Sequence, residues 1–227
     1  MSVSGYRNRI QFFGADFDVA TAGASIGSIG QAARMSVPRG IATDGTHLFV
    51  ADCGNNRVIQ LRISDREFVD SLGNFGSRDG QLYNPAGFVL VCGSGDDSSS
   101  VIPSDSTLAA GNDDRLYVAD TQNNRVCVFG VSPLRFLTSF GKHGTAPLEF
   151  RLPYGLAVYA GCLFVSEYAN KRVQVLTLCG RFGINFIPTS IAVRPDGRLL
   201  VRSIDGDRVE LRTLSGSLLQ VRIPRLK

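Results

Sequence analysis

The chain has 227 residues, a length that allows one sizeable hydrophobic core but is short for two well-built domains. Its 44% hydrophobic and 19% charged residues are typical of a globular protein and exclude an intrinsically disordered chain. The net charge of +4 permits contact with nucleic acid or an acidic partner, but no run of five like charges indicates a basic tail.

Cysteine usage and the N-terminus bear on the compartment. The five cysteines are an odd number without a CxxC pair, so neither a disulfide framework nor a zinc site is indicated. Buried free thiols fit a reducing compartment, and we expect a cytoplasmic protein. The first residues, MSVSGYRNRIQFF, contain no signal-peptide core, and no apolar stretch approaches the ~20 residues that span a bilayer. We therefore expect no membrane partner.

One pattern recurs along the chain. A glycine precedes a short apolar strand, a second strand ends in an acidic residue, and Arg-Val opens a third strand after a short loop. A half copy, YRNRIQFF, begins at Tyr6, and we expect two outer strands of an incomplete unit within residues 6–30. Full copies follow, the last of them weaker, and the units that they define cover residues 39–84, 85–152, 153–187 and 188–224.

Each unit has room for four short strands. In the second unit these are AGFVLV, RLYVAD, NRVCVFGV and LRFLTSF, and residues 92–112 form a Ser-, Asp- and Gly-rich insertion that predicts a surface loop. The second strand is apolar nearly throughout in every copy (LFVA, LYVA, LFVS, LLVR), which indicates burial on both faces. Four-stranded sheets covered on both sides predict the blades of a β-propeller and exclude helical repeats.

Three of the repeat copies resemble those of a known family. GIATDGTHLFVADCGNNRV, LYVADTQNNRV and YGLAVYAGCLFVSEYANKRVQVL are similar to NHL repeats, and FGSRDGQLYNPAG and FGKHGTAPLEFRLPYG resemble the family's connections between blades. The resemblance, to the NHL domain of tripartite-motif type proteins, implies an all-β toroidal propeller, usually of six blades. We expect a single domain over residues 1–227, with about four full blades and an N-terminal half blade.

The sequence predicts fewer than the usual six blades, and three alternatives explain the difference. The ring is open, or the sequence is a fragment of a longer protein, or a second polypeptide closes the ring. An open blade edge carries unpaired backbone groups, so self-association through it is one expected contact.

The acid-x4-Arg motif occurs at the same place in successive units. Repetition favours an architectural ion pair over a ligand site, and an Arg fork suits a carboxylate. In the fourth unit Ser203 replaces the acid before Arg208. The Asn-Asn pairs after the second strands are typical of turns. The predicted structural pairs are Asp52 with Arg57, Asp120 with Arg125, and Glu167 with Arg172.

The loops that differ between copies are the better candidates for binding. In a propeller the connections between blades and the turns between second and third strands emerge on one face. Their residues are basic with interleaved tyrosines, as in surfaces that bind single-stranded RNA, although an ordinary solvated basic surface is the alternative. Some NHL propellers bind RNA or protein partners through this face, so the resemblance implies the same. The candidate residues are Arg34, Arg39, Arg78, Tyr83, Lys142, His143, Arg151, Tyr154, Tyr168 and Lys171.

Catalysis finds little support in the residue inventory. NHL-like lyases that cleave peptidyl hydroxyglycine use several His ligands around zinc, whereas this protein has only His47 and His143, in different loops. The first residues of the inner strands are not acidic, which argues against a lactonase-type metal site at the axis. No GxSxG elbow or P-loop occurs. We expect no catalytic residue, metal or cofactor, and no enzyme activity.

The sequence thus favours a non-catalytic module that binds a protein or single-stranded RNA. The family resemblance implies the target-selecting part of a ubiquitin-ligase-type protein, although RING or B-box cysteines are absent here. One alternative is a metal-dependent propeller hydrolase or lyase, lactonase-like or peptidyl-hydroxyglycine-lyase-like. Another is a scaffold whose partner docks elsewhere, for example on the insertion.

Overall fold

A computed structural model of the protein describes residues 2–4, 9–13, 25–29, 34–91, 114–159, 162–176, 181–185, 188–193, 199–203, 209–212 and 218–219. Side chains are described for Ile10 and for residues 34–91, 114–158 and 162–176. The expected surface loop at 92–112 and Arg208 lie outside the described residues. Within these ranges the protein is built from antiparallel sheets and one short parallel strand pair, which confirms the all-β prediction.

The sheets follow one another in sequence order. An N-terminal sheet contains β1 (Ser2–Ser4), β2 (Arg9–Phe13) and β3 (Ser25–Ile29). Blade 1 contains β4 (Pro38–Thr43), β5 (His47–Asp52), β6 (Arg57–Arg62) and β7 (Phe68–Leu72). Blade 2 contains β8 (Pro85–Val91), β9 (Arg115–Asp120), β10 (Arg125–Val131) and β11 (Leu134–Phe140). After the short parallel pair β12 (Lys142–His143) and β13 (Glu149–Phe150), blade 3 contains β14 (Pro153–Tyr159), β15 (Cys162–Glu167), β16 (Arg172–Leu176) and β17 (Arg181–Asn185). Blade 4 contains β18 (Pro188–Val193), β19 (Leu199–Ser203), β20 (Val209–Arg212) and β21 (Leu218–Leu219).

The second strand is apolar along its middle in blades 1 to 3 because both of its faces are covered. In β5, Leu48 and Val50 pack with Ile10 of the N-terminal sheet. The alternate residues Phe49 and Ala51 pack against the second and third strands of blade 2. Successive side chains of a strand point to opposite faces, so one strand contributes to two hydrophobic cores.

The inner strands β4, β8, β14 and β18 pack against one another in succession. They approach so closely that a Cβ on Gly87 would lie 2.2 Å from the carbonyl oxygen of Tyr154, and one on Gly40 2.5 Å from that of Ala86. Only glycine fits at such contacts between backbones. Packing between blades therefore explains Gly40 and Gly87, the third residues of the Pro-x-Gly starts of β4 and β8.

The N-terminal sheet has three strands, including β1, which the sequence pattern did not predict. β1 packs against β4, the inner strand of blade 1, just as the second strands β5 and β15 pack against β8 and β18. β1 is thus the counterpart of a second strand, and no inner strand pairs with it among the described residues. Within the described ranges the blades do not close into a ring, which agrees with the expected partial propeller.

Candidate functional site

In blades 1 to 3, one end of the blade brings together the connection that enters it and the turn between its second and third strands. The two segments are hydrogen-bonded to each other, since Gly54 N donates to Ser36 O, Gln122 N to Tyr83 O and Ala169 N to Arg151 O. In blades 1 and 2 the turn is a short 3-10 helix, Cys53–Asn55 or Thr121–Asn123. We call this end of the blades the connector face; it comprises residues 34–37, 53–56, 73–84, 121–124, 141–152 and 168–171.

Each predicted acid–Arg pair is in contact at this face. The Arg Nε donates to the carboxylate at 2.8 Å in the Asp52–Arg57 and Asp120–Arg125 pairs and at 2.6 Å in the Glu167–Arg172 pair. All three carboxylates are fully buried. Buried carboxylates need several donors, and these find them in the connections, whose backbone N–H groups at Ser36, Tyr83 and Arg151 donate to Asp52, Asp120 and Glu167.

The arginines hold the connections as well. Arg125 donates to the carbonyl oxygens of Arg78 and Gln81, and Arg172 to those of Thr145, Ala146 and Glu149. Burial, with the neighbouring Asp120 carboxylate, raises the pKa of the Cys127 thiol far above its usual range, so this thiol stays neutral. The arginines and carboxylates of these pairs already form hydrogen bonds within the fold, so few of their donors and acceptors remain for a ligand.

The asparagines of the turns make similar contacts. Asn56 and Asn124 adopt left-handed backbone with φ of 55° and 56°, and their side-chain oxygens accept from the backbone N–H of Asn84 and Leu152. Lys171 has the same conformation in blade 3, with φ of 54°. The turn asparagines thus lock each turn to the next connection.

The candidate binding residues all lie on the connector face or at the start of an inner strand beside it. None is buried: Arg39 and Tyr154 are half-buried and the others are exposed. Arg39 and Tyr154 are brought into contact, with the guanidinium Cζ 5.3 Å from the ring centre. Lys142 forms an exposed ion pair of 3.3 Å with Glu149. The backbone N–H of Ala146 and the Lys142 ammonium lower the pKa of Glu149, so both members of this pair are charged.

An aromatic residue that the sequence pattern did not indicate stands beside one of the candidates. Phe75 is 64% exposed and meets the ring of Tyr83 edge to face, with 4.9 Å between centroids. Phe75 pairs with Leu82 across the connection as His143 pairs with Phe150 in the next one. Both connections begin with Gly-x-x-Gly, at residues 73–76 and 141–144, and aligning them by this motif would have placed Phe75 level with the candidate His143.

Other site chemistry is sparse in the described part of the protein. Among its residues, no group of three or more His, Cys, Asp or Glu side chains is arranged to hold a metal ion. No helix within the described ranges is long and apolar enough to cross a membrane.

Comparisons with known proteins agree with the fold. The NHL repeat family matches residues 106–129, and no curated protein matches the sequence. A structure of a nidogen–laminin complex is similar with a TM-score of 0.60 and 18% identity, over 88% of this chain and 67% of that chain. A streptogramin B lyase is similar with a TM-score of 0.54 and 15% identity, over 82% of this chain and 55% of the lyase.

A putative 6-phosphogluconolactonase from Bacteroides uniformis is also similar, with a TM-score of 0.52 and 13% identity, over 81% of this chain and 53% of that chain. The protein therefore spans little more than half the length of these two enzymes. At such identities the likeness concerns the fold. Together with the repeat match it shows that the chain has a β-propeller fold and carries an NHL repeat at residues 106–129.

Proposed function

We propose that the protein is a non-catalytic interaction module that binds a protein partner through its connector face. One observation carries the proposal. In blades 1 to 3 the recurring acids are buried, the recurring arginines are half-buried, and both are hydrogen-bonded within the fold, whereas residues that differ between these blades are exposed on this face. Variable exposed residues on a rigid scaffold are where binding is usually found.

The exposed residues have the composition of a protein-binding surface. Phe75, Tyr83 and Tyr168 are 64%, 42% and 41% exposed. Tyrosine, phenylalanine and arginine are enriched at protein interfaces, and Tyr and Arg supply much of the binding energy there. Exposed aromatic groups in loops that a buried network holds in place would bind with little loss of conformational entropy.

The charge of the face indicates an acidic partner. Arg34, Arg78, Arg151 and Lys171 are exposed, and no carboxylate among the described residues forms an ion pair with any of them. The acids on this face are occupied by Arg57, Arg125, Arg172 and Lys142, apart from Asp79. Such an excess of cations would speed association with an acidic protein and would favour it over a basic one.

The similar propeller in the nidogen–laminin complex supports a protein partner, since it occurs in an assembly of proteins. Single-stranded RNA is the other ligand that arginines and tyrosines suit, and it is one outcome of the experiment below. If the protein acts beside a ubiquitin-ligase module, as its family resemblance implies, this face would select the target.

Affinity capture with matched variants tests the proposal. One double variant, Arg78→Ala with Arg151→Ala, removes two cations from the connector face. The control, Arg62→Ala with Arg135→Ala, removes the same charge near the turns between third and outer strands, at the other end of the blades. We expect specific proteins to be lost from the first variant alone, with or without nuclease. Equal capture by both variants would contradict the proposal, and nuclease-sensitive capture would favour RNA.

A further inference from the structure

We propose that Arg39 and Tyr154 form a receptor for a carboxylate group at the axial edge of the connector face. The inference rests on the proposed protein-binding function and names the chemical group that the partner presents there. That group is the side-chain carboxylate of an Asp or Glu of the partner.

The two residues meet across an intervening blade. Arg39 and Tyr154 are the second residues of the inner strands β4 and β14, and blade 2 has the buried Ala86 at the same position of β8. The inner strands lie close together, as the contact of Gly87 with the Tyr154 carbonyl shows. Because the alanine is small, the Arg39 side chain passes in front of β8 and reaches Tyr154.

The contact leaves hydrogen-bond donors without acceptors. Arg39 Nη1 donates to Tyr154 Oη, and this is the guanidinium's sole hydrogen bond with the described residues. A guanidinium has five N–H donors and no acceptor, and the phenol, accepting from Arg39, still has its own O–H to donate. Arg57, Arg125 and Arg172 each have a buried carboxylate, whereas Arg39 has none among the described residues. The pair thus offers several donors and one unneutralised positive charge.

The surroundings of Arg39 leave its charge available to a ligand. The nearby Cys53 thiol donates to Asn84 Oδ1. Burial raises the pKa of Cys53, the Arg39 charge acts in the opposite direction and the Asp52 carboxylate raises the pKa further, so the thiol stays protonated. Asp52 is itself paired with Arg57. A half-buried cation attracts an anion more strongly than the exposed cations of the same face do, because solvent screens it less.

The shape of the group decides between anions. One guanidinium fork and one hydroxyl match the two oxygens and the single charge of a carboxylate. A carboxylate ends a side chain and can reach a half-buried donor pair from above. A phosphodiester lies within its polymer and is usually bound along an open groove with several cations.

A peptide titration tests the inference on the whole 227-residue chain. The probe is an acetylated, amidated hexaglutamate peptide, with the hexaglutamine peptide as its uncharged counterpart. The NMR signal of the Arg39 Nε–H group, assigned by its loss in Arg39→Gln, reports contact directly. We expect hexaglutamate to shift this signal and hexaglutamine to leave it in place.

Variants measure the contribution of each group. Arg39→Gln should weaken hexaglutamate binding about tenfold, and Tyr154→Phe, which keeps the ring, should weaken it severalfold. Arg62→Gln removes the same charge at the other end of blade 1 and should bind like the unaltered protein. Urea unfolding of each variant verifies that it is folded. If Arg39→Gln does not fold, Tyr154→Phe tests the receptor independently.

The outcomes separate this inference from the proposed function. An unmoved Arg39 signal, or equal affinity of hexaglutamate for Arg39→Gln and the unaltered protein, would overturn the carboxylate receptor. If the receptor were overturned in this way but the Arg78→Ala, Arg151→Ala variant failed to capture its protein partners, the proposed function would stand without the carboxylate receptor. If hexaglutamate shifted Arg39 but no protein depended on the connector face, the receptor would stand and the proposed function would fail.

Discussion

The carboxylate of Asp120 accepts a 2.8 Å hydrogen bond from Nε of Arg125 at the closed end of the β9–β10 hairpin. The same fully buried carboxylate accepts the backbone N–H of Tyr83 from the preceding connection. A single side chain thus joins two strands of a blade to the segment that enters the blade. The arrangement recurs with Asp52 and with Glu167.

Loss of this carboxylate should be costly. In Asp120→Asn the donors of Arg125, Tyr83 and Asn123 face a buried amide that cannot accept all of them, so we expect the free energy of unfolding to fall by about 3 kcal/mol. Urea unfolding measures it. Asp65→Asn is the control, because the Arg62–Asp65 pair is exposed and its loss should leave the midpoint nearly unchanged. Similar effects of the two substitutions would contradict the architectural role of Asp120.

Packing between inner strands should not tolerate a methyl group at Gly87. The new Cβ of Gly87→Ala would lie 2.2 Å from the Tyr154 carbonyl oxygen, so the inner strands must separate, at a cost of about 2–3 kcal/mol. In Gly130→Ala the nearest atom, on Arg135, is 3.5 Å away, an ordinary contact, and stability should hold or rise. Thermal unfolding measures the stability of both variants. A Gly87→Ala variant as stable as the unaltered protein would refute the close approach of the inner strands.

Blade 3 has a strained residue that can be relieved. Lys171 has φ of 54°, where blades 1 and 2 have Asn56 and Asn124. Asparagine tolerates left-handed backbone better than lysine, so Lys171→Asn should raise the free energy of unfolding by about 0.5–1 kcal/mol. Lys142→Asn removes the same charge from a strand and should bring no such gain. The urea midpoints of Lys171→Asn and Lys142→Asn are compared. Equal shifts of the two midpoints would show that the loss of charge, and not the backbone conformation, causes the gain.

Acid should weaken the turn between β4 and β5. Burial raises the pKa of Asp44, but hydrogen bonds from the backbone of His47 and Thr46, and from the His47 ring, lower it by more, so it lies below the ordinary 3.8. A lowered pKa stabilises the fold above the unfolded value, and the contribution disappears as the pH falls through the folded value. The advantage of the unaltered protein over Asp44→Asn should therefore be constant near neutral pH and shrink below pH 3.8. Urea midpoints across this range measure it, and an advantage that grew with acid would show the opposite sign.

The salt dependence of the affinity should distinguish an RNA partner from a protein partner. Binding to RNA releases condensed counterions, so the affinity of a labelled oligouridylate would fall steeply with NaCl, and Arg78→Ala with Arg151→Ala would lower the slope by about 2. A captured protein partner should show a shallower dependence, because its aromatic contacts are not screened. Fluorescence anisotropy in a salt series measures both. Tight oligouridylate binding with a steep slope would favour RNA over protein.

Much of the fold was predictable because its signals are local. In the first three units a strand that is apolar on both faces, such as LFVA, is followed by an acid five residues before an arginine. Antiparallel hairpins place such residues opposite each other, as Asp52 pairs with Arg57. The left-handed Asn56 and Asn124 follow from the tolerance of asparagine for that conformation. The strand β1 was not predictable in this way, because Ser2–Ser4 is too short to show a period and is set by pairing with β2.

The candidate site was only partly predictable. Its face follows from the topology of blades, but the exposure of Phe75 depends on how its connection folds back to pair with Leu82. The contact of Arg39 with Tyr154 joins positions 115 residues apart, and no periodicity in the sequence indicates it. It depends on the distance between the inner strands and on the small Ala86 between them.

The sequence by itself determined the type of blade, the hairpin that closes it and the pairs that stabilise it, because these depend on residues near one another in the sequence. The tertiary structure alone decided which exposed groups meet and which cations lack a carboxylate. Those properties arise from the packing of one blade on the next, where the close approach at Gly40 and Gly87 sets the spacing of side chains that belong to different repeats.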